Sequence, residues 1–394
     1  MRRGVLARSR AVGGCACALL VACLAGCATT STSSSVAVTG KTLTIYASSP
    51  QQTANPAQAR DVLDAEQLAL AQLRGEVTSF KIDFVPLTGG KFSDHARTAI
   101  QNSTTIAYLG EVDPGASADS IPITNDQDVL QLSPTDTALE YTHSTPAIAD
   151  TPGQYYKEGH SSYGYTFARV VPSTALEAQA QIEEMRSLGV TRLHVADDGS
   201  QYGSAVAAAV RSDASPAITI VSTETGANGV FYGASDPAAA ASFFNGVAGA
   251  NPTAQLFGPS AVDNNSFAAA VDQAARRNLY VSAPGFLQAD LTPVGKAFVS
   301  DFKASYGHEP ALGAIFGYET MAALLATLHQ AGAGASDRST VVRDFFKTNN
   351  ASVEGSVLPS YTIRSTGDTT LGPFVFSRFT AGQLVPFKFV QVQG

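Results

Sequence analysis

The stretch FKIDFVPLTGGKFSDHARTAIQNSTTIAYL, residues 80–109, decides the fold. It opens with a strand signal, Phe80-Lys81-Ile82-Asp83-Phe84-Val85, and continues as a helix over Ser93 to Asn102. It closes with a second strand signal, Thr105-Ile106-Ala107-Tyr108-Leu109. Upstream, Thr42-Leu43-Thr44-Ile45-Tyr46 alternates and is β-branched, as a strand requires. A helix over about 57–74 follows it, with Val62, Ala65, Leu68, Ala69 and Leu73 at helical spacing. Downstream, the short strand Val129-Leu130-Gln131-Leu132 ends at Ser133-Pro134. Strand and helix alternate throughout, which predicts a parallel sheet with helices on both faces.

Residues 151–164, TPGQYYKEGHSSYG, interrupt this alternation with Pro, Gly and polar residues. It then resumes: strand Phe167 to Val171, helix Thr174 to Leu188 closed by Gly189, strand 190–196, helix 202–213 and strand Ile218 to Ser222. Helix 237–247, strand 254–257, helix 263–277 and strand Leu279 to Ser282 complete a second α/β unit. Helices near 293–306, 313–331 and 337–348 precede strands at 360–364, 373–377 and 386–392. The expected class is α/β, with two lobes of doubly wound parallel sheet and a tail that returns to at least one of them.

The N-terminus reads as an address. Arg2, Arg3, Arg8 and Arg10 precede the apolar run Ala11 to Ala25, which is shorter than the roughly 18–20 residues a spanning helix needs. Leu24-Ala25-Gly26-Cys27 resembles the bacterial lipobox, so 1–26 is expected to be a lipoprotein signal peptide, with cleavage leaving Cys27 N-terminal and lipidated. Residues 28–40, ATTSTSSSVAVTG, are small and polar and read with Cys27 as a flexible tether. All four cysteines, Cys15, Cys17, Cys23 and Cys27, fall at or before position 27. The domain beyond them must therefore rest on a core and not on disulfides.

At about 150 residues per domain, 394 residues allow roughly two or three domains. The leader holds four of the 25 Lys+Arg and none of the 33 Asp+Glu, so 21 basic residues face 33 acidic ones afterwards, a balance of −12. That surface argues against nucleic acid, which demands a basic footprint, and against a polybasic membrane contact.

Enzyme signatures fail on inspection. In Gly159-His160-Ser161-Ser162-Tyr163-Gly164 the second Gly comes one place late for a nucleophile elbow, and no strand runs directly into it. The histidines His95, His143, His160, His194, His308 and His329 never pair at metal-ligand spacing. Gly332-Ala333-Gly334 follows a helix and lacks the third Gly of a dinucleotide cradle. No cofactor and no metal are expected. Polar loops after strands are more informative, because ligands of open α/β sheets sit beyond the carboxyl ends of strands. Three such loops are Gly110 to Ser117, Leu132 to Thr137 and Ala196 to Gly203. Each combines Gly, hydroxyls and carboxylates, a set that also suits plain helix capping.

Together these loops carry a resemblance. Leu132-Ser133-Pro134-Thr135-Asp136-Thr137 after an edge-type strand, then Phe167-Ala168-Arg169-Val170-Val171-Pro172, then Asp197-Asp198 with Tyr202-Gly203, resemble the leucine/branched-chain amino acid-binding family. These are type I periplasmic solute-binding proteins of ABC importers. The similarity continues through Lys303-Ala304-Ser305-Tyr306-Gly307-His308-Glu309-Pro310, Gly317-Tyr318-Glu319-Thr320, Val353-Glu354-Gly355 and Thr366-Gly367-Asp368, and so spans about residues 41–394.

The resemblance implies two lobes joined by a hinge of three crossovers, here 41–163 with 285–350 as lobe 1 and 164–284 with 351–394 as lobe 2. It also implies how ligand is held. Thr137 matches the threonine that holds the ligand carboxylate, Thr135 is its neighbour, and Ser133 opens the same loop. Tyr202 matches the aromatic of the second lobe. The family's serine in the first ligand loop aligns with Pro114, which has no N–H and no hydroxyl, so that contact is either lost or rerouted through Gly115 or Ser117. The acidic partner of the ligand ammonium has no clear match. In Gly258-Pro259-Ser260-Ala261-Val262-Asp263, with Ser260 beside it, Asp263 either serves or caps the next helix. Tyr232 and Ser235 follow another second-lobe strand and complete the expected lining.

The function implied is non-enzymatic: a monomeric, extracytoplasmic, lipid-anchored protein that delivers a small polar ligand, an amino acid or amide, to an ABC permease. A ligand-sensing receptor lobe and an exported enzyme on the same scaffold are the alternatives.

Overall fold

Five strands assemble the first sheet in the order β2-β1-β3-β4-β5, all parallel: β1 (Thr42–Ser48), β2 (Lys81–Leu87), β3 (Thr105–Leu109), β4 (Leu130–Ser133) and β5 (Phe167–Arg169). The computed structural model describes residues 36–49, 53–73, 80–156, 164–348 and 353–394, which fall in one compact unit. β1 lies between neighbours and under helices, so six of its seven residues are buried. β2 is an edge strand, more exposed, and tolerates Pro86. Around this sheet pack α1 (Pro56–Gln72), α2 (Phe92–Gln101) and α3 (Ile121–Asn125). Asn55 caps α1 by accepting the Gln58 N–H, with Pro56 at the first helical position.

The second sheet has seven strands: β6 (Arg192–Asp197), β7 (Thr219–Val221), β8 (Gly229–Gly233), β9 (Gln255–Gly258), β10 (Leu279–Pro284), β11 (Pro373–Thr380) and β12 (Gln383–Gln391). Their order is β12-β11-β10-β9-β8-β6-β7. β6 to β10 run parallel, whereas β11 and β12 add as an antiparallel hairpin on β10. The hairpin turns at Ala381-Gly382, both at positive φ (49° and 84°), the backbone a two-residue hairpin loop requires. The accompanying helices are α4 (Thr174–Ser187), α5 (Gln201–Ala214), α6 (Pro237–Ala250), α7 (Asn265–Ala270) and α8 (Gln273–Arg276).

Between β10 and β11 the chain returns to the first sheet as α9 (Pro293–Tyr306), α10 (Ala314–Ala331) and α11 (Arg338–Phe345). Side chains of β1, β3, α1, α10 and α11 share one apolar core. α10 approaches α1 so closely that a Cβ on Gly317 would stand 2.6 Å from the Val62 carbonyl oxygen. The chain thus passes between the sheets three times, after β5, after β10 and before β11. This is the α/β architecture of two doubly wound lobes joined by three crossovers.

Several boundaries differ from the sequence reading. Phe167–Arg169, expected to open the second lobe, pairs with β4 in the first sheet (Leu132↔Ala168), which makes β4 an interior strand and not an edge. Val353, Val357, Leu358, Tyr361 and Ile363, also assigned to the second lobe, bury in the first core. Glu319 of α10 draws them there by accepting from Ser356 Oγ (2.7 Å), the Val357 N–H (2.9 Å) and Tyr361 OH (2.8 Å). The strand expected at 360–364 reduces to two bridge residues, Thr362 and Ile363, the latter paired with Thr369. The helix expected over 263–277 breaks at Val271, which is extended, because the Asp272 N–H donates to Asn245 Oδ1 (2.8 Å).

The tether also ends earlier than expected. Val38 is buried in the first core and donates its N–H to Ser336 (2.7 Å), and the Arg338 N–H reaches Val36 (3.2 Å). Cys27, the leader 1–26 and residues 27–35 lie outside the described residues, as does Gly159–Tyr163 of the failed elbow. Among the described residues, no helix is long and apolar enough to cross a membrane.

Candidate functional site: the interlobe cleft

A cleft opens where the loops beyond the strands of the two sheets face each other. The first-lobe side offers Asn55, Asp113, Pro114, Thr135 and Thr137; the second offers Ser260, Asp263 and Asn264, with Ala283, Pro284, Gly313 and Phe316 also lining it. Atom-free space amounts to about 500 Å³, mouth included.

On the first-lobe side the organiser is Asp136. Its carboxylate accepts the N–H groups of Gly115 (2.7 Å), Ser117 (2.8 Å) and Ala138 (3.0 Å), binding the two cleft-side loops to each other. Gly115 and Ser117, expected to reach ligand, spend their amides inward on this carboxylate. The Ser117 side chain is fully buried, where its Oγ accepts the Glu111 N–H (3.2 Å). Ser133 is buried too, donating to the Glu111 carbonyl (2.7 Å) and accepting from the Asp136 N–H (2.8 Å). Thr135 and Thr137 do line the cleft. The Thr135 hydroxyl donates to Val112 O (2.6 Å), whereas the Thr137 hydroxyl faces the other lobe.

Arg169, at the end of β5, holds that threonine loop from behind. It is fully buried, and its Nη1 donates to the carbonyls on both sides of Thr137, Asp136 O (3.1 Å) and Ala138 O (2.5 Å). Its Nε and Nη2 engage Asp368 (2.7 Å) and Thr142 Oγ1 (2.9 Å). Burial pushes the Asp368 carboxyl up, but Arg169 and the hydrogen bond from His143 outweigh it and leave the group below the ordinary range. The threonine loop of the cleft and the Asp368 segment are thus joined through one guanidinium.

The second-lobe side is organised by Glu177 of α4. It is fully buried and accepts from the Ser260 N–H (2.6 Å), Ser260 Oγ (3.0 Å), Ser282 Oγ (2.5 Å) and, at 3.5 Å, Tyr202 OH. Burial raises its carboxyl to about 7 against these donors. Ser260, so placed, approaches Thr137 Oγ1 (3.4 Å) from the opposite lobe and Tyr202 OH (3.2 Å). Tyr202 is buried and does not itself line the cleft; its hydroxyl touches residues that do, Ser260 among them. Tyr232 lies within β8, not after it, and stacks on Phe243 (3.9 Å between centroids, 10°) inside the second-lobe core. Ser235 gives its N–H to Asp198 (2.8 Å), a loop-fastening contact.

Asp263 is the residue whose two readings the structure separates. Asn264, not Asp263, caps α7, through Oδ1 to the Phe267 N–H (2.9 Å). The Asp263 side chain lines the cleft and makes no hydrogen bond among the described residues; burial raises its carboxyl to about 7. Asp113 faces it from the first lobe, its carboxylate held by the Ala54 N–H (3.0 Å) and pushed by burial up to about 6.

Asp136, Arg169, Glu177 and Asp113 escape the sequence reading as site residues. The first two lie inside motifs it quotes, while Glu177 has the look of an ordinary first-turn helix acid.

No protein-family model matches the chain, and no curated protein sequence matches it significantly. Solved structures do. A leucine-binding protein from Thermotoga maritima is 18% identical, with 89% of this chain and 99% of that chain covered at a TM-score of 0.68. The branched-chain amino acid transporter substrate-binding protein of Streptococcus pneumoniae, in complex with isoleucine, is 15% identical over 90% and 100% of the two chains, TM-score 0.66. A solute-binding protein of an ABC transporter from R. palustris, in complex with benzoate, is 14% identical over 90% and 97%, TM-score 0.66. With two doubly wound lobes, three crossovers and an interlobe cleft already in place, this chain has the type I periplasmic binding-protein fold of the leucine and branched-chain amino acid-binding proteins.

Proposed function

We propose that this chain is an extracytoplasmic solute-binding protein that captures a small polar ligand between its lobes and presents it to an ABC permease. The observation that carries this reading is the cleft itself, an atom-free space lined by Thr135 and Thr137 of one lobe and by Ser260 and Asp263 of the other, with Thr137 and Ser260 meeting across the lobes at 3.4 Å. The fold neighbours include proteins solved with isoleucine and benzoate, which supports a cleft that takes small molecules. Binding energy from both walls would favour the closed arrangement that a permease recognises. Cys27 is assigned as the lipid-bearing residue, so Cys27→Ser is expected to move the protein from the membrane to the soluble fraction with ligand affinity unchanged.

The test is a thermal-shift screen over amino acids, short amides, urea, amines and aromatic acids. A true ligand at a hundredfold excess over Kd stabilises by about 2.7 kcal/mol. A flat response across the panel refutes the reading.

A further inference from the structure

We propose that the cleft selects a ligand of net positive charge, a small organic cation with an ammonium, amidinium or guanidinium group. The inference rests on the solute-binding reading and names the ligand class for that site.

Two carboxylates, one from each lobe, line the cleft: Asp113 and Asp263. The 54–55 turn touches both residues: the Ala54 N–H donates to the Asp113 carboxylate at Oδ2 (3.0 Å), and Asn55 Nδ2 lies 3.5 Å from the backbone carbonyl oxygen of Asp263. None of the described residues lining the cleft is Lys, Arg or His. Behind Asp113 sits a third carboxylate, that of Asp136, which acts on it by repulsion. At Asp368 the chain answers a buried acid with a cation, Arg169. In the cleft it does not.

Removing a carboxylate from water without a compensating cation is costly, and the group tends to keep a proton instead. The elevated Asp113 and Asp263 carboxyls fit that state. A neutral zwitterion brings one ammonium and a carboxylate of its own, so it leaves this field unanswered. A net cation neutralises it and expels the protons. Affinity should therefore rise with pH through about 6 to 7, because the unliganded site binds more protons than the occupied one.

The experiment is isothermal titration of the detergent-purified full-length protein at pH 8 and pH 5.5. The cationic probes are L-arginine, L-lysine, agmatine and putrescine; the others are L-leucine, L-glutamine and benzoate. At least one cation should bind about tenfold or more tightly than every neutral or anionic probe at pH 8. Its affinity should fall about a hundredfold by pH 5.5, as two displaced protons require. Preference for arginine and lysine over the carboxylate-free amines would place the ligand carboxylate at Thr135 and Thr137; the reverse would place only amines there, and either supports the proposal. Asp113→Asn and Asp263→Asn, checked for unchanged melting without ligand, should each reduce the cation-to-leucine affinity ratio at least tenfold. Leucine, glutamine or benzoate binding as tightly as the cations would overturn the charge selection and leave the solute-binding reading standing. Binding by no probe of any charge, at concentrations where the protein is folded, would remove both.

Discussion

The two walls of the cleft are built on the same idea with different chemistry. Each is organised by a buried carboxylate behind the loop, Asp136 in the first lobe and Glu177 in the second. Asp136 is answered by three backbone N–H groups, and the carbonyls around Thr137 are pinned by Arg169. Backbone donors cannot reverse, so that wall is a fixed template. Glu177 is answered by one N–H and otherwise by hydroxyls of Ser260, Ser282 and Tyr202. Hydroxyls rotate and exchange donor for acceptor. The difference teaches which wall can adapt to ligand: the second.

Breaking the fixed wall should be the most expensive change. Arg169→Met strands Asp368 as an uncompensated buried charge and frees two carbonyls, so it should destabilise by about 3–5 kcal/mol in urea unfolding. Glu177→Gln leaves an amide that still accepts from Ser260, and should cost only about 1 kcal/mol. Equal costs for the two would erase the contrast between the walls.

The second measurement sharpens the contrast through pH. Burial raises Glu177 to about 7 and Glu111, behind the first wall, to about 8. For an acid raised on folding, the native state holds the proton that the unfolded chain has already released. Its stability is therefore complete below the unfolded carboxyl range, near 4.5, and is lost as pH rises through 7 and 8. Unfolding free energy should fall on the order of 2 kcal/mol between pH 5 and pH 9 on account of Glu177 alone. Glu177→Gln should flatten that limb, whereas a slope unchanged by the substitution would place the titration elsewhere. Asp368, lowered by Arg169, works the opposite way: its contribution is present above the ordinary aspartate range and disappears only in acid.

The lobes were legible in residues 80–109 because strand and helix periods differ and alternate. Their seams were not. Phe167–Arg169 reads as a strand in any lobe, and only its pairing with Leu132 assigns it. Thr135 and Thr137 line the cleft. Gly115 and Ser117 do not, because a carboxylate 19–21 residues along takes their amides, a tertiary contact with no local signature. Asp263 and Asn264 are both good caps; local preference cannot choose between them, and the structure gives the role to Asn264. Glu177 carried no local signal, since an acid in the first turn of a helix is ordinary; only the structure shows it turned to Ser260 and Ser282.

The smallest expected effect is also the one that joins the two walls. Thr137 Oγ1 and Ser260 Oγ meet at 3.4 Å, a long hydroxyl contact between a pinned loop and an adaptable one. Thr137→Ala and Ser260→Ala should each cost under about 1 kcal/mol in ligand-free unfolding. Their double-mutant cycle should give a coupling of about 0.5 kcal/mol, the usual floor for residues in contact. Saturating ligand that inserts between the hydroxyls should drive that coupling toward zero while each single substitution now weakens binding. Coupling that persists with ligand bound would mean the hydroxyls are a latch beside the ligand, and Thr137 would then act on the closed form and not on the ligand itself.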